Sequence, residues 1–282
     1  MSMRLARALL LAILTTIGLQ PAAAQEARKI RIATEGAFAP WNFTEPDGKL
    51  NGFEIELHKY LCALMKVECE LVSQSFDAMI PALNAGKFDA IMSGMSATAK
   101  REEVIAFSIP YGTTGQSFAT LKSSDLADLP EQGKVYSLAS DEAGAIAALD
   151  KLKPKLQAKV IGVQGSTIAA AFLDKYLKGV VQVREYQTTE QHDLDLIAGR
   201  VDAVIASMAY LTTAAKKPGA QDMVTVGPRF QGGMLGRGSS IGLRKSDVEL
   251  KDKFNDAIKA AQADGTIKRL SDKWFGFDVT PR

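Results

Sequence analysis

An arginine and several hydroxyl-bearing residues lie close together in the stretch DAIMSGMSATAKREEVIAF, residues 89–107. The pattern predicts a buried strand over 89–93, a turn of small residues, and a helix that begins near Lys100. A guanidinium offers a planar fork of donors that matches a carboxylate in two parallel, charge-assisted hydrogen bonds. With hydroxyl and backbone donors at the end of the strand, Arg101 is predicted to bind a small carboxylate. The alternative is an exposed helix face in which Arg101 is solvated.

A second cluster follows the first predicted strand, residues 29–34. Here Glu35, Phe38 and Trp41 lie past the carboxyl end of the strand, where open α/β sheets place their ligands. Glu35 is predicted to face a ligand, whereas the two rings belong either to a cleft or to the core under a loop. Phe76 lies at another predicted junction between strand and helix, and we expect it to face the same cleft.

The chain contains an internal echo. LNAGKFDAIMSGM (83–95) aligns without a gap with LIAGRVDAVIASM (196–208), so Gly94 and Ser207 occupy equivalent positions. Two helix–glycine–strand units of one design, in separate halves, predict two similar α/β lobes. The alignment predicts a clamshell in which Gly94 and Ser207 face each other across a shared cleft.

A candidate anion site lies in the second half of the chain. KVIGV (159–163) predicts a strand, and an amphipathic helix is predicted over 168–177. Ser166 or Thr167 would cap that helix and leave backbone N–H groups free for an anion. A plain capping residue is the alternative.

Two glycine-rich or hydroxyl-rich stretches are predicted to connect the lobes, one at 111–121 and one at 227–242. The expected lobes are therefore 25–115 with 229–282, and 116–228. Residues 122–158 are expected to form a polar insertion with a surface helix at 143–152, outside the core.

The first 24 residues have the composition of a cleavable signal peptide, with Arg4 and Arg7 before an apolar run and three alanines at 22–24. Cleavage is expected before Gln25, which would place the mature chain in a periplasm-like compartment. The full chain has 34 basic and 32 acidic residues. It has no basic stripe with interleaved aromatic residues, so nucleic acid is not an expected partner.

The two cysteines, Cys62 and Cys69, are expected to form a disulfide, because a pair of cysteines in an oxidising compartment is typically bridged. A metal site is the alternative. The two histidines, His58 and His192, do not have the spacing of metal ligands relative to this pair. Neither a metal nor a cofactor is predicted.

Six motifs are similar to those of the periplasmic solute-binding proteins of ABC uptake systems, in the branch for polar amino acids and opines. They are ATEGAFAPWNF, GKLNGFEIEL, SFDAMIPALNAGKFDAIMSGMSATAKREEVIAFS, GVQGST, LIAGRVDAVIAS and DGTIKRLSDKWFG. They follow the order of the family over nearly the whole mature chain. The resemblance implies a type II, two-lobed α/β fold with two hinge crossings, a monomer, and delivery of a small molecule to an inner-membrane permease.

The resemblance also implies roles for individual residues. Arg101 is similar to the clamp for the α-carboxylate of the ligand, helped by Ser96 and Thr167, and Glu35 to the acid that holds a distal cation. Phe38 and Phe76 match the aromatic walls around the methylene chain of the ligand, and they also suit a guanidinium. The remaining predicted contacts are Trp41, Ser93, Gly94, Met95, Val163, Gln164, Ser166 and Ser207.

One position departs from the amino-acid binders of the family, which carry an aspartate for the α-ammonium of the ligand where this chain has Ser207. Loss of that carboxylate costs on the order of 2–5 kcal/mol for a primary amino acid if nothing replaces it. An opine carries a carboxylate on its amine substituent and so brings its own counter-charge. GPRFQGGMLGRGSSIGLRK (227–245) is also similar to opine binders, whereas Phe76 replaces the tryptophan of the best-known ones. Both ligand classes, arginine-derived opines and plain basic amino acids, stay open.

The same fold supports a few periplasmic enzymes, such as dehydratases acting on cyclic acids. An enzyme needs an acid or base that faces the reacting bond. Glu35 is the only acidic residue that the sequence predicts in the cleft, and no histidine accompanies it. The chain is therefore predicted not to be an enzyme, with a dehydratase as the remote alternative.

Overall fold

The computed structural model describes residues 29–281, so the predicted signal peptide and its cleavage site lie outside the described residues. The strands in chain order are β1 (Ile30–Thr34), β2 (Ala37–Phe38), β3 (Asn42–Thr44), β4 (Leu50–Asn51), β5 (Cys69–Ser73), β6 (Ala90–Ile91), β7 (Ala106–Gly112), β8 (Gln116–Leu121), β9 (Val135–Ser137), β10 (Val160–Gln164), β11 (Gln182–Tyr186), β12 (Ala203–Ser207), β13 (Met223–Gln231) and β14 (Ser239–Leu243).

The helices lie between these strands and cover the sheets. In chain order they are α1 (Phe53–Met65), α2 (Met79–Asn84), α3 (Ala99–Glu102), α4 (Glu142–Leu156), α5 (Ile168–Tyr176), α6 (Thr189–Ile197), α7 (Met208–Ala214), α8 (Val248–Ala263) and α9 (Thr266–Trp274). In the part of the chain described here, no helix is both long and apolar enough to span a bilayer.

The first lobe is built on a five-stranded sheet in the order β5-β1-β6-β14-β7. Strand β1 pairs in parallel with β5 and β6, whereas β14 pairs antiparallel with β6 and β7. Helices α1, α8 and α9 bury an apolar core on one face, and α2 packs on the other. The parallel strands direct their carboxyl ends to one edge, where ligands bind in sheets of this kind.

The second lobe repeats this plan with a six-stranded sheet in the order β11-β10-β12-β8-β13-β9. Strand β10 pairs in parallel with β11 and β12, and β8 runs antiparallel between β12 and β13. Two apolar clusters cover the two faces of the sheet. The two-lobed α/β fold predicted from the internal echo is therefore confirmed.

The repeated residues of the echo have the same structural roles in both lobes. Asp89 donates its N–H to the carbonyl of Arg31 over 2.9 Å, and its carboxylate accepts from the N–H of Arg31 over 3.0 Å. Asp202 forms the matching pair with Val160, at 2.8 and 2.7 Å. Each aspartate thus extends the pairing of the central parallel strands by one residue, because its side-chain carboxylate accepts the hydrogen bond from the neighbouring strand.

The chain crosses between the lobes twice, first between β7 and β8 and then between β13 and β14. Residues 229–231 still pair with β9 in the second sheet. The segment that returns to the first lobe was expected to begin at residue 229, but this residue lies within the second sheet. The reason is that pairing with β9 keeps β13 in that sheet beyond residue 229.

Residues 122–158 are part of the second core, contrary to the expected surface insertion. Strand β9 pairs with β13, and α4 begins earlier and ends later than the predicted helix at 143–152. Its buried positions, at spacings of three and four residues, form one stripe against the sheet: Ala145, Ala148, Leu149, Leu152 and Leu156. Two of these buried positions are alanines, which do not distinguish a buried stripe from an exposed one, so the stripe was hard to recognise from the sequence.

The disulfide between Cys62 and Cys69 is present, with the two Cα atoms 6.2 Å apart. It joins the last turn of α1 to the first residue of β5. The predicted pairing of helix end and following strand is confirmed, and α1 is held against the edge of the first sheet.

Candidate functional site

A cavity opens between the lobes, and its walls come from the strand ends and crossings of both. Its walls enclose about 790 Å³, counting the space at its open mouth. Among the described residues that line it, Arg101 is the single basic side chain and Glu35 the single acidic one. The remaining wall is made of aromatic rings, hydroxyls, amides, glycines and a few aliphatic side chains.

Arg101 lies on α3, which is only one turn long and is capped by Thr98. Its guanidinium donates to the carbonyl of Ser96 over 2.9 Å and, across the cleft, to the carbonyl of Ser166 over 3.1 Å. Burial lowers the pKa of Arg101 to about 10, so the side chain stays cationic at neutral pH. No acidic side chain in residues 29–281 forms an ion pair with it, which leaves the charge to be matched by a ligand.

Glu35 follows β1 directly, and its backbone N–H donates to the hydroxyl of Ser93 over 3.0 Å. Its carboxylate accepts a hydrogen bond of 2.6 Å from the side chain of Gln164 in the second lobe. Burial raises the pKa of Glu35 to about 7; the nearby acids Asp77 and Glu190 act in the same direction, and Gln164 opposes them. A carboxyl group poised near neutrality is stabilised in its ionised form by a ligand cation.

The aromatic residues differ in how they reach the cavity. Phe38 lines it and stacks, with ring centroids 5.3 Å apart and planes 9° from parallel, on Tyr210 of the second lobe. The ring of Phe76 lies 5.5 Å from the guanidinium carbon of Arg101, in cation–π range. Trp41 is only 1% exposed and packs against Phe53 in the first core, so that only an edge of it reaches the cavity wall.

Two predicted contacts, Met95 and Val163, have their side chains in the cores and not in the cavity. Met95 is 1% exposed in the cluster around α2, and Val163 is fully buried in the second core. Met95 directly follows the cavity residue Gly94, and Val163 directly precedes the cavity residue Gln164. Neighbouring side chains in β10 point to opposite sides, so Gln164 faces the cavity and Val163 the core. At Gly94 the backbone turns with φ +60°, and the side chain of Met95 enters the core.

Other predicted residues reach the site through atoms that the sequence could not specify. The hydroxyl of Ser96 donates to the carbonyl of Leu235 over 2.8 Å, whereas its own carbonyl holds Arg101. Ser166, at φ 61°, likewise presents its carbonyl to Arg101. Thr167 lines the cavity, caps α5 and donates to the carbonyl of Gln164 over 2.7 Å.

Gly94 and Ser207, the equivalent strand ends of the echo, both line the cavity. Gly94 has φ +60°, and a Cβ there would lie 2.8 Å from the ring of Phe38, so this position requires glycine. The hydroxyl of Ser207 lies 2.8 Å from that of Thr114 in the first crossing. The site thus has a pair of hydroxyls at this position, both from residues that line the cavity.

Sequence reasoning missed parts of both crossings and one aromatic residue. Thr113 to Gln116 line the cavity from the first crossing, and Gln231, Gly232, Leu235, Gly236 and Ser239 from the second. The glycine-rich composition indicated these crossings but not which atoms face inward. Tyr210 lies two residues past the end of the internal alignment, and no pattern in the sequence pointed to its contact with Phe38.

The lobes touch around the cavity, so the structure shows the closed arrangement. Thr189 donates its hydroxyl to the carbonyl of Ala37 over 3.1 Å, in addition to the Gln164–Glu35 and Arg101–Ser166 contacts. Closure excludes water from the charged groups of the cavity, which strengthens their interaction with a bound ligand.

Comparison with known proteins agrees with this architecture. The family model described as bacterial extracellular solute-binding proteins, family 3, matches residues 30–277. The chain is 48% identical to the octopine-binding periplasmic protein of Rhizobium meliloti over 92% of this chain and 94% of that protein. It is 34% identical to an L-arginine-binding protein of Pseudomonas aeruginosa, over 89% and 90% of the two chains.

Among solved structures, a periplasmic His/Glu/Gln/Arg/opine family-binding protein from Silicibacter pomeroyi in complex with lysine superposes with a TM-score of 0.72. The two sequences are 32% identical, over 90% of this chain and all of that one. The fold, the cleft between its lobes and the match over almost the whole described chain lead to one conclusion: this protein belongs to family 3 of the bacterial extracellular solute-binding proteins.

Proposed function

We propose that the chain captures an arginine-derived opine of the octopine class between its lobes, in the periplasm, and delivers it to a membrane permease. The observation that carries this proposal is the charge content of the described cavity lining: Arg101, Glu35 and no third charge. Octopine has a guanidinium, a secondary ammonium and two carboxylates, so it is neutral overall, as is the pair of charges in the cavity. Free arginine brings one positive charge more than the cavity can match.

The environment of Ser207 supports the same choice. A primary ammonium at this position would meet the hydroxyls of Ser207 and Thr114, with no carboxylate among the described lining residues other than Glu35. The amine of an opine bears a carboxylate and needs no aspartate there. Octopine is also the ligand named for the Rhizobium meliloti relative, which is 48% identical to this chain.

The second candidate is a binder of plain basic amino acids. It is favoured by the same Glu35 and by the rings of Phe38 and Phe76, which would hold a cationic side chain equally well in both ligand classes. The L-arginine-binding relative, 34% identical, has the corresponding ligand in its name. The two candidates differ only in the substituent on the amine, which is where Ser207 lies.

A comparison of ligands on two variants separates the candidates. Thermal shift and calorimetry with octopine, arginine, lysine, ornithine and histidine should show the largest stabilisation with octopine, since a ligand of the native state raises its melting temperature. Ser207→Asp should improve arginine relative to octopine by roughly tenfold or more, because it pairs the α-ammonium. Ser207→Asn is the control, because asparagine has the shape of aspartate but no charge. Stronger binding of arginine to the unmodified protein would establish the second candidate.

Transport, and not catalysis, is the role proposed for this cleft. The bound ligand would join the lobes, and the permease would recognise the closed form. The two crossings, 113–115 and 232–238, are proposed as the hinge between a first lobe that contains both ends of the described chain and a second lobe that begins at 116. A dehydratase would need a proton donor at the reacting bond. Incubation of octopine or a cyclic acid with the protein should therefore yield no product.

A further inference from the structure

A carboxylate behind the cavity wall has no part in the functions described so far. Glu54 is the second residue of α1 and is only 1% exposed. It does not line the cavity. A buried carboxylate destabilises a fold unless hydrogen bonds satisfy it, so its partners indicate what it is for.

Glu54 accepts hydrogen bonds from three directions. One oxygen accepts from the N–H of Gly94 over 2.7 Å and from the hydroxyl of Tyr111. The other accepts from the side-chain amide of Asn42 over 2.6 Å. The carbonyl oxygen of Asn42 in turn accepts from the N–H of Gly36 over 2.8 Å, which fixes the orientation of that amide. Every partner of Glu54 is therefore a donor, and an acceptor-only group is required at this position.

The charge of this group follows from its surroundings. Burial raises the pKa of Glu54, and the hydrogen bonds from Tyr111, Gly94 and Asn42 oppose that rise. Burial and the neighbouring carboxylate raise the pKa of Tyr111 well above its usual range, so its hydroxyl keeps the proton that it donates. Three donors therefore face this carboxylate, and they stabilise its ionised form against the effect of burial.

The partners belong to separate segments that build the cavity. Gly36 follows Glu35, and Gly94 lies against the ring of Phe38. Tyr111 lies on β7, one residue before the strand ends at the first crossing. A single carboxylate therefore joins both ligand-facing loops of the first lobe to the strand that leads into the hinge.

We propose that Glu54 is a positioning residue of the binding cleft: without touching the ligand, its carboxylate fixes the loops that present Glu35 and Gly94 and couples them to the first crossing. The proposal depends on the cleft being the binding site and uses the proposed ligand only as a probe. It predicts a specific dependence on the direction of the hydrogen bonds, which a merely space-filling role would not have.

The test exchanges donor and acceptor within the network. Glu54→Gln introduces an NH₂ group that faces a donor in either orientation, the amide of Asn42 or the N–H of Gly94. Its affinity for octopine, measured by calorimetry, should fall roughly tenfold or more. Asn42→Asp alone places two carboxylates together and should also weaken binding. The combined variant restores an acceptor opposite every donor and should bind within about threefold of the unmodified protein.

Hydrogen exchange supplies a readout that does not need the ligand. Exchange of the Gly36 and Gly94 amides should be faster in each single variant and return to normal in the combined one, while the amide of Val163 in the second lobe is unaffected. Glu56→Gln, on the same helix but paired with Lys273 at the surface, is the matched control and should change neither affinity nor exchange.

The proposal is overturned if Glu54→Gln keeps both the affinity and the Gly94 protection of the unmodified protein, or if the combined variant is no better than Glu54→Gln. If Glu54→Gln does not fold, the combined variant decides. A combined variant that folds and binds octopine supports the proposal. A combined variant that does not fold, or folds without binding, overturns it. If octopine does not bind the unmodified protein, the ligand assignment fails separately. Arginine affinity and amide exchange then decide the role of Glu54 by the same criteria.

Discussion

Arg101 is a buried cation whose protein partners are carbonyl groups, those of Ser96 and Ser166. Carbonyls orient the guanidinium but do not neutralise it. A buried charge is stabilised best by an opposite charge with matching hydrogen bonds, and a carboxylate fits a guanidinium in that way. The contact to Ser166 also crosses between the lobes, so we propose that the same side chain responds both to a bound carboxylate and to closure.

Arg101→Ala should abolish measurable binding of octopine, with a loss of about 2–5 kcal/mol, because the ligand carboxylate would lose its charged partner. Arg101→Lys keeps the positive charge but lacks the planar fork of donors, so its affinity should lie between those of the unmodified protein and Arg101→Ala. Calorimetry measures the affinity, and circular dichroism checks the fold. Lys100→Ala removes an exposed charge from the same turn and should bind normally. Retention of near-normal affinity by Arg101→Ala would show that the carboxylate binds elsewhere.

Ligand affinity should depend on pH through Glu35. Its pKa, raised to about 7 by burial, makes the ligand-free carboxyl largely neutral below pH 7. A guanidinium binds the ionised form, so affinity for octopine should rise with pH by up to about tenfold per unit below pH 7, and level off above it. Glu35→Gln should bind weakly with a flat profile in calorimetry from pH 5.5 to 8.5.

The stability of the ligand-free protein should change in the opposite sense. Because the folded pKa of Glu35 is higher than that of an unfolded glutamate, its neutral form is favoured in the fold. That contribution is complete below the unfolded pKa and is lost as the pH rises through about 7. An equally steep affinity profile in Glu35→Gln would assign the pH dependence to another group.

Residue types predicted which side chains line the cavity better than they predicted which atoms face it. Arg101, Glu35 and Phe38 were recognisable because few side chains can bind a carboxylate, a cation or an alkyl chain. Ser96 and Ser166 were also predicted, but they act through carbonyl groups, which every residue has. Met95 shows a related difficulty, because an error of one residue in the predicted position replaces a cavity residue with a core residue.

At the scale of elements, strong periodicity was decisive. Apolar residues recur every three or four positions between polar ones over residues 248–263, which predicts a helix with the bounds that α8 has. Strand β6 is only two residues long, shorter than the buried strand predicted at 89–93, because its neighbours diverge where the chain turns toward the cavity. Helix α4 was misjudged, because alanines in an apolar stripe do not distinguish a buried face from an exposed one.

The place of α4 in the core can be measured. Leu149 is 1% exposed in the second core, and Leu149→Ala should lower the free energy of unfolding by about 2–5 kcal/mol through the cavity it leaves. Ile146 lies on the same helix but is 40% exposed, so Ile146→Ala should change stability by about 0.5 kcal/mol or less. Chemical denaturation of both variants checks this. Equal losses of stability in the two variants would show that α4 is a surface helix, as predicted from the sequence.

At the scale of the whole molecule, closure is a set of contacts between two lobes of similar design. The repeated aspartates Asp89 and Asp202 shape the two sheets alike, whereas the contacts that join the lobes are not repeated. Phe38 and Tyr210 stack, Thr189 bonds to the backbone of Ala37, and Arg101 reaches Ser166. The internal echo could predict the lobes but not these contacts, since each depends on how one lobe meets the other.

The contribution of closure to binding can be separated from that of direct contacts through Tyr210, which is fully buried and does not line the cavity. An aromatic pair of this kind contributes about 0.5–1.5 kcal/mol beyond its buried area. Tyr210→Leu should therefore weaken octopine binding by roughly two- to twelvefold through the closed form, and it also removes the buried hydrogen bond from Tyr210 to Asp193 within the second lobe.

Small-angle scattering should show that Tyr210→Leu needs more octopine to reach the compact state, with the same radius of gyration at saturation. Tyr186→Leu is the matched control, because Tyr186 packs in the same second-lobe cluster and bonds to Asp195 without touching the first lobe. Its affinity should be unchanged even where its melting temperature falls. If both variants lost affinity equally, the effect would come from stability of the second lobe, and the stack between Phe38 and Tyr210 would have no part in closure.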